Sequence, residues 1–226
     1  MVEPKLTKWF ERTRIGDTPK VGGKGASLGE MFQKLSESGV KVPNGFTLTT
    51  DAFSRFVDSE IPERTWDNVR NPEGLEEIRN EAIKQTNLRK ALDVCLRGVD
   101  LGKELELNAR AALARSLVRE TPVPESVKLA IGSDYGKLCD IYYPGVDVAV
   151  RSSATTEDSK EASFAGQYES FLNVSGEVEI VEKWRRCVAS MFTERSVGYH
   201  LENGLHPLES AVAVAVSYTH LTLPTI

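Results

Sequence analysis

The chain has 226 residues, 40% of them hydrophobic and 27% charged, with a formal net charge of −5. That is ordinary globular composition, with enough chain for one large domain or two small ones. It excludes a general attraction to nucleic acid or anionic lipid, so any polyanion has to be met by local basic residues. Cys95, Cys139 and Cys187 are far apart, odd in number and in no CxxC pattern. They read as three reduced thiols in a cytoplasmic protein rather than a disulfide framework or zinc site.

In chain order, "MVEPKLTKWFERTR" lacks the apolar run of a signal peptide. In "VGGKGASLGEMFQKLSESGVKVPNGFTLTT", Leu28, Met31, Phe32 and Leu35 recur at helical spacing and predict one apolar helix face. Gly39 caps that helix and Pro43 prevents its resumption. "GFTLTT" reads as a short strand, with Thr49 or Thr50 capping a helix that carries Phe53, Phe56 and Val57. Gly22, Gly23 and Gly25 are expected in a loop running into a helix N-terminus, with Lys24 among them.

Residues 60–122 are charged and helical in composition, broken by "NPEG", and Arg and Glu alternate there as on a solvated helix face. Pro124 starts another helix, with Val127, Ala130, Ile131, Leu138 and Cys139 as candidate core. Val146, Val148 and Val150 alternate as a half-buried strand that delivers Arg151 at its end. A small-residue loop follows, then a second strand with Tyr168, Ser170, Leu172 and Val174 on one face. Gly176 turns the chain into a helix striped by Val181, Trp184, Val188 and Met191, "ENGLHP" ends it, and "AVAVAV" starts a last strand. The order is α+β, without the regular βαβ alternation of a doubly wound sheet.

Two segments carry chemistry. In "VGGKGAS" the glycines leave backbone N–H groups open, the following helix offers its positive end, and Lys24 adds a full charge; together these suit a polyphosphate. The segment is not a Walker A loop, and a turn with an exposed lysine reads equally well. In "RSSATTEDSKEASFAGQ", Arg151 can pair an anion bidentately and Gly166 permits close backbone approach, while Glu157, Asp158, Lys160 and Glu161 read as solvated. Ser152 and Ser153 have no histidine at triad spacing. His200 and His206 read as packing or surface residues, Trp9, Trp66 and Trp184 as core or interface aromatics, and no metal-ligating residue is assigned.

"VGGKGASLGEM", "VPNGFTLTTDAF", "VAVRSSATTEDSKEASFAGQYESFLNV" and "ASMFTERSVGYHLENGLHP" occur in the order found in the phosphoenolpyruvate synthase family, and the chain resembles its N-terminal ATP-binding part. Pyruvate, phosphate dikinase and the rifampicin phosphotransferases are related. The resemblance implies the N-terminal part of an ATP-grasp-like domain using ATP and Mg2+. In that family ATP phosphorylates a histidine on a separate swivelling domain, which passes the group to pyruvate and yields phosphoenolpyruvate, AMP and phosphate. Lys24 and Arg151 match the family's phosphate-contacting, catalytic lysine and arginine, and Gly166 matches its glycine loop over the phosphates. Ser170 keeps a hydroxyl where the family commonly has Thr; Thr156, Ser159, Lys160 and Tyr168 depart from its pattern.

The resemblance also implies that the phosphohistidine domain, the pyruvate-binding barrel and the second ATP-grasp half, with its acidic metal ligands, lie elsewhere. Partners are therefore ATP here and pyruvate in a longer parent, with no nucleic acid or membrane. The uncharged tail is too short and too polar to span a bilayer, with threonines, His220 and Pro224. "VSYTHLTLPT" resembles the translation of a transposase sequencing adapter, so 1–216 is expected to be native and 217–226 foreign. Two alternatives stand beside the synthase: the ATP-binding part of a rifampicin phosphotransferase or pyruvate, phosphate dikinase, and a nucleotide-binding module without catalysis.

Overall fold

The computed structural model describes residues 5–155, 158–159, 162–163 and 169–219. Its centre is a five-stranded sheet built from β1 (Thr7–Trp9), β2 (Gly45–Leu48), β3 (Val148–Ala154), β6 (Ser170–Val174) and β7 (Val212–Tyr218). The spatial order is β1-β2-β7-β3-β6, antiparallel at each junction. Two-residue strands β4 (Asp158–Ser159) and β5 (Ala162–Ser163) pair separately as a small ribbon. The helices are α1 (Thr18–Glu37), α2 (Thr50–Val57), α3 (Glu76–Ile83), α4 (Leu88–Leu96), α5 (Glu104–Glu120), α6 (Glu125–Ile141), α7 (Glu177–Ala189) and α8 (Glu194–Glu202). The expected α+β class holds, and so does the helical character of residues 60–122.

Residues directly opposite on neighbouring strands share a face, and alternate residues of one strand take opposite faces. Trp9, Phe46, Val216, Val150 and Phe171 form one cross-strand row. Leu48, Val148, Val212 and Val214 lie on that face too and, with Phe46, Val150 and Val216, are fully or almost fully buried in the main core. Helices α2, α6 and α7 pack against these strands, and the α3–α5 segment joins the core through α4, α5 and α7. Trp184 of α7 meets Phe56 of α2 with ring centroids 5.4 Å apart.

The opposite face is made of smaller groups. Lys8, Thr47, Ala215, Arg151 and Ser170 form its central row, with Ala149, Ser153 and Ala213 in adjoining rows. Helix α1 lies against β7, β3 and β2. Only its small residues and Val21 are buried: Gly22, Gly23, Gly25, Ala26 and Gly29. A Cβ on Gly25 would lie 3.0 Å from Thr47 Oγ1, and one on Gly29 would lie 2.5 Å from Thr13 Cβ.

This corrects the expected packing of α1. The stripe Leu28–Met31–Phe32–Leu35 does not enter the core; Met31 is 47% exposed and Leu35 38%. Helical spacing identifies a face of like residues, but a helix that must approach a sheet closely turns its side-chain-free face inward. The C-terminal end matches expectation, with Gly39 at φ +77° just past the helix. Thr49 stands at the N-cap of α2, but its hydroxyl donates to Lys5 O at 2.8 Å instead of accepting from the helix.

Two strand expectations also change. Arg151 is in the middle of β3, not at its end, and is the exposed residue in an otherwise buried strand. Val148 pairs with Val174 but Val150 with Phe171, so β6 carries one extra residue there, with Asn173 at φ +54°. That bulge puts Val174 on the branched face, opposite Val148, while Ser170 shares the small-residue face with Arg151. A bulge breaks the period of two on which the single-face expectation for Ser170, Leu172 and Val174 rested. Tyr168 lies outside the described residues.

Strand β7 is central, and its residues Val212–Val216 are buried on both faces. It extends through Ser217, paired with Gly45 and Ala149, to Tyr218, which stacks on Tyr142 with centroids 3.9 Å apart. Among the described residues no helix is long and apolar enough to cross a membrane.

Candidate functional site

The first structural determinant of the site is the backbone at Gly22. It takes φ +69° and ψ 171°, breaking α1 into a short N-terminal turn and a long helix that begins at Gly23. The glycines therefore make a one-residue kink, not an open loop, and Gly23 and Gly25 belong to the helix. Only glycine fits the kink: a Cβ there would lie 2.0 Å from Ser153 O, in a region L side chains rarely adopt.

The kink delivers the new helix N-terminus onto β3. Ser153 Oγ accepts from Gly25 N at 2.9 Å and donates to Val21 O at 2.8 Å, so one buried hydroxyl bridges both sides of the break. This takes up the Gly25 N–H that the sequence left open for a ligand. Lys24 Nζ, on an exposed side chain, donates to Ser152 O at 3.2 Å. The ammonium is thereby held at the backbone of the residue that follows Arg151.

Arg151 projects on the α1 side of the sheet, directly opposite Ala215 on one neighbour and Ser170 on the other. Ala215 has no bulk to cover the guanidinium, and Ser170 is exposed beside it. Ser152 N and Ser152 Oγ both donate to Glu169 O, at 3.3 and 3.2 Å, which ties the start of β6 to β3. Lys24, Arg151 and Ser170, apart in sequence, thus come together on one face at a helix N-terminus. Gly166 lies outside the described residues.

Two cationic groups and a hydroxyl beside the positive end of a helix suit the oxygens of a phosphate chain. Nothing comparable exists for a divalent cation: among the described residues no three His, Cys, Asp or Glu side chains converge to hold a metal ion. A larger recess of about 870 Å³ runs along β1 beside Lys8, Trp9 and Asp134, and none of Lys24, Arg151 and Ser170 borders it.

Behind the site, Cys187 Sγ lies 3.7 Å from Glu169 O, and burial, reinforced by the Glu169 charge, pushes its thiol up to about 12. Cys95 is pushed to about 12 by burial as well. Both are neutral, unreactive thiols at physiological pH, and all three cysteines are free. His200 is fully buried between Ser196 O at 2.7 Å and Ser210 Oγ at 3.0 Å, a packing residue as expected. Ser153 is the residue that sequence reasoning missed. Its signal was negative: a serine in a buried strand with no catalytic histidine has a structural partner to find.

The fold and site define an α+β domain in which a glycine-kinked helix N-terminus and a mid-strand arginine present positive charge on one sheet face. The chain belongs to the family described as pyruvate phosphate dikinase, AMP/ATP-binding domain, whose model matches residues 18–219. It is similar to the phosphoenolpyruvate synthase of Synechocystis sp., with 37% identity over 219 residues, covering 95% of this chain and 24% of the relative. The phosphoenolpyruvate synthase of Aquifex aeolicus is 36% identical over 212 residues, 93% of this chain and 22% of its own length. A probable phosphoenolpyruvate synthase of Methanocaldococcus jannaschii is 34% identical over 213 residues, 94% of this chain and 15% of its own. The chain thus spans about a quarter or less of the length of these relatives.

Proposed function

We propose that this chain is the ATP-binding part of a phosphoenolpyruvate synthase, the N-terminal portion of an ATP-grasp-like domain. The carrying observation is the junction of the Gly22 kink with β3, which puts the Lys24 ammonium on Ser152 O beside Arg151. ATP supplies a transferable phosphoryl group when bound. Lys24 and Arg151 neutralise and orient its phosphate oxygens, Ser170 contributes a hydroxyl, and Gly166 belongs to the loop that covers them. Such transfer depends on positioning and charge neutralisation, which these groups provide without acting as nucleophiles. In the longer protein, a histidine on another domain receives the phosphoryl group and pyruvate accepts it, with AMP and phosphate as the other products. Mg2+ accompanies the nucleotide, and no residue described here is assigned to it.

Titration of the chain with ATP by calorimetry tests the assignment. Lys24→Ala and Arg151→Ala are each expected to weaken binding at least about tenfold, and Ser170→Ala less, since one charged contact exceeds a neutral one. In the longer enzyme either charged substitution should lower kcat by roughly 10²–10³, the effect of removing one preorganised donor. ATP binding indifferent to both charged substitutions would remove these residues from the site. Pyruvate-dependent AMP formation by the 226-residue chain alone would overturn the placement of the histidine and the pyruvate site elsewhere.

A further inference from the structure

Away from the nucleotide site, α5 brings arginines together that the sequence reads as part of a solvated face. Arg115 and Arg119 are one turn apart on α5, where like charges repel. Arg70 joins them from the loop before α3, held by its backbone N–H on Ser116 Oγ at 2.9 Å. With Asn68, Ser116 and Glu120 they line a recess of about 230 Å³. The Arg119 Nε is buried and has no hydrogen-bond partner among the described residues.

Four other arginines of the same segment are engaged. Arg110 meets Glu106 at 2.8 Å, Arg97 meets Glu81 at 3.1 Å, Arg89 meets Asp58 at 2.6 Å, and Arg79 donates to Trp66 O at 2.9 Å. No side chain of Arg70, Arg115 or Arg119 has an ion pair or hydrogen bond among the described residues. Burial, then Arg119 and Arg70, hold the Arg115 guanidinium below its ordinary pKa, against the opposing pull of Glu169 and Glu194. Glu169 is itself paired with Arg186 at 3.4 Å. A cationic triad this close, partly desolvated and without a paired carboxylate, raises the energy of the empty state.

We propose that Arg70, Arg115 and Arg119 form a binding site for a small phosphate anion, inorganic phosphate or diphosphate, separate from the Lys24–Arg151 site. Guanidinium forks match tetrahedral oxyanions bidentately. Ser116 Oγ accepts from Arg70 N and retains a proton to donate to the anion. The recess is smaller than the roughly 300–1,000 Å³ of sites that enclose drug-sized ligands, which favours a compact ion over a whole nucleotide. The net charge of −5 over the whole chain favours a small ion over a nucleic acid strand.

Calorimetric titration of the 226-residue chain with sodium diphosphate, then phosphate, against a sodium chloride control, tests the proposal. In the Lys24→Met background, which disables the nucleotide's phosphate site, saturable one-to-one binding is expected, weakened at least about tenfold by adding Arg115→Gln with Arg119→Gln. Arg119→Gln alone should raise Tm without anion and abolish most of the stabilisation that diphosphate gives, a readout loss of folding cannot imitate. ATP that still competes for this site in Lys24→Met would identify a nucleotide's terminal phosphates as the source; ATP that does not would identify the free ion. No saturable binding up to about 10 mM, on the weak side of the millimolar scale, would overturn the proposal. So would affinity in Lys24→Met left unaltered by the arginine changes. Because its readout survives loss of the nucleotide site, failure of the ATP assignment leaves this result interpretable.

Discussion

The two faces of the central sheet are built on opposite principles. One carries branched and aromatic residues such as Phe46, Val150 and Val216, and excludes water by filling volume. The other carries Thr47, Ala149, Ser153, Ala213 and Ala215, and lets the Gly25–Gly29 side of α1 come close. The first face holds the domain together. The second gives up apolar burial, and in exchange a helix N-terminus, a lysine and an arginine meet over bare backbone. Stability and ligand chemistry are thus separated across one sheet, a few ångströms apart.

Breaking the close approach is expected to have the largest effect. Gly22→Ala combines backbone strain with a Cβ 2.0 Å from Ser153 O, and should cost about 3–5 kcal/mol in chemical denaturation. A loss below about 1 kcal/mol would mean that the kink is not fixed by Ser153. Next, the faces should respond to volume with opposite sign. Val150→Ala should cost about 2–3 kcal/mol through a cavity, whereas Ala215→Val should cost about 1–3 kcal/mol through overpacking. Neutral behaviour of Ala215→Val would break the distinction between them.

Much of this was legible in the sequence, and the failures have a common cause. Alternating valines, Gly39, Pro124 and Gly176 identify elements through local rules, so β3, β7, α6 and α7 were found. What a face packs against is a property of the partner. Leu28, Met31, Phe32 and Leu35 were read as one apolar helix face, and nothing local says that α1 needs its glycines inward. The place of Arg151 within β3 depends on β7 and β6 continuing beside it, and the bulge at Asn173 depends on register. Lys24 and Arg151 were recognised separately; that they meet follows from Ser153, which looks ordinary in the sequence. The arginines of α5 were passed over because alternation with glutamate describes the helix alone, and Arg70 arrives from outside it.

The smallest expected effect concerns the entry to β7, the strand both faces share. His200 donates or accepts at Ser210, two residues before that strand, and burial holds its pKa below the ordinary imidazole value of 6.5. Since the unfolded histidine binds a proton more readily, this contribution is intact above pH 6.5 and is lost as pH falls through the lower folded pKa. Stability of the wild type should therefore decline below that pH more steeply than that of His200→Gln, measured by denaturant midpoints from pH 7.5 to about 5. Parallel pH profiles would show that the buried imidazole does not resist protonation.

Strand β7 has a further consequence, for the order in which the molecule comes into being. It is the last strand among the described residues yet lies between β2 and β3. A ribosome adding about 5–20 residues per second needs roughly 8–33 s to pass from the end of β2 to the start of β7. Until Val212–Tyr218 emerge, β1–β2 and β3–β6 are two half-sheets with no partner for their inner edges. The Gly25–Ser153 bond then joins segments 128 residues apart in the chain. Nascent chains thus carry exposed strand edges until the closing strand has arrived.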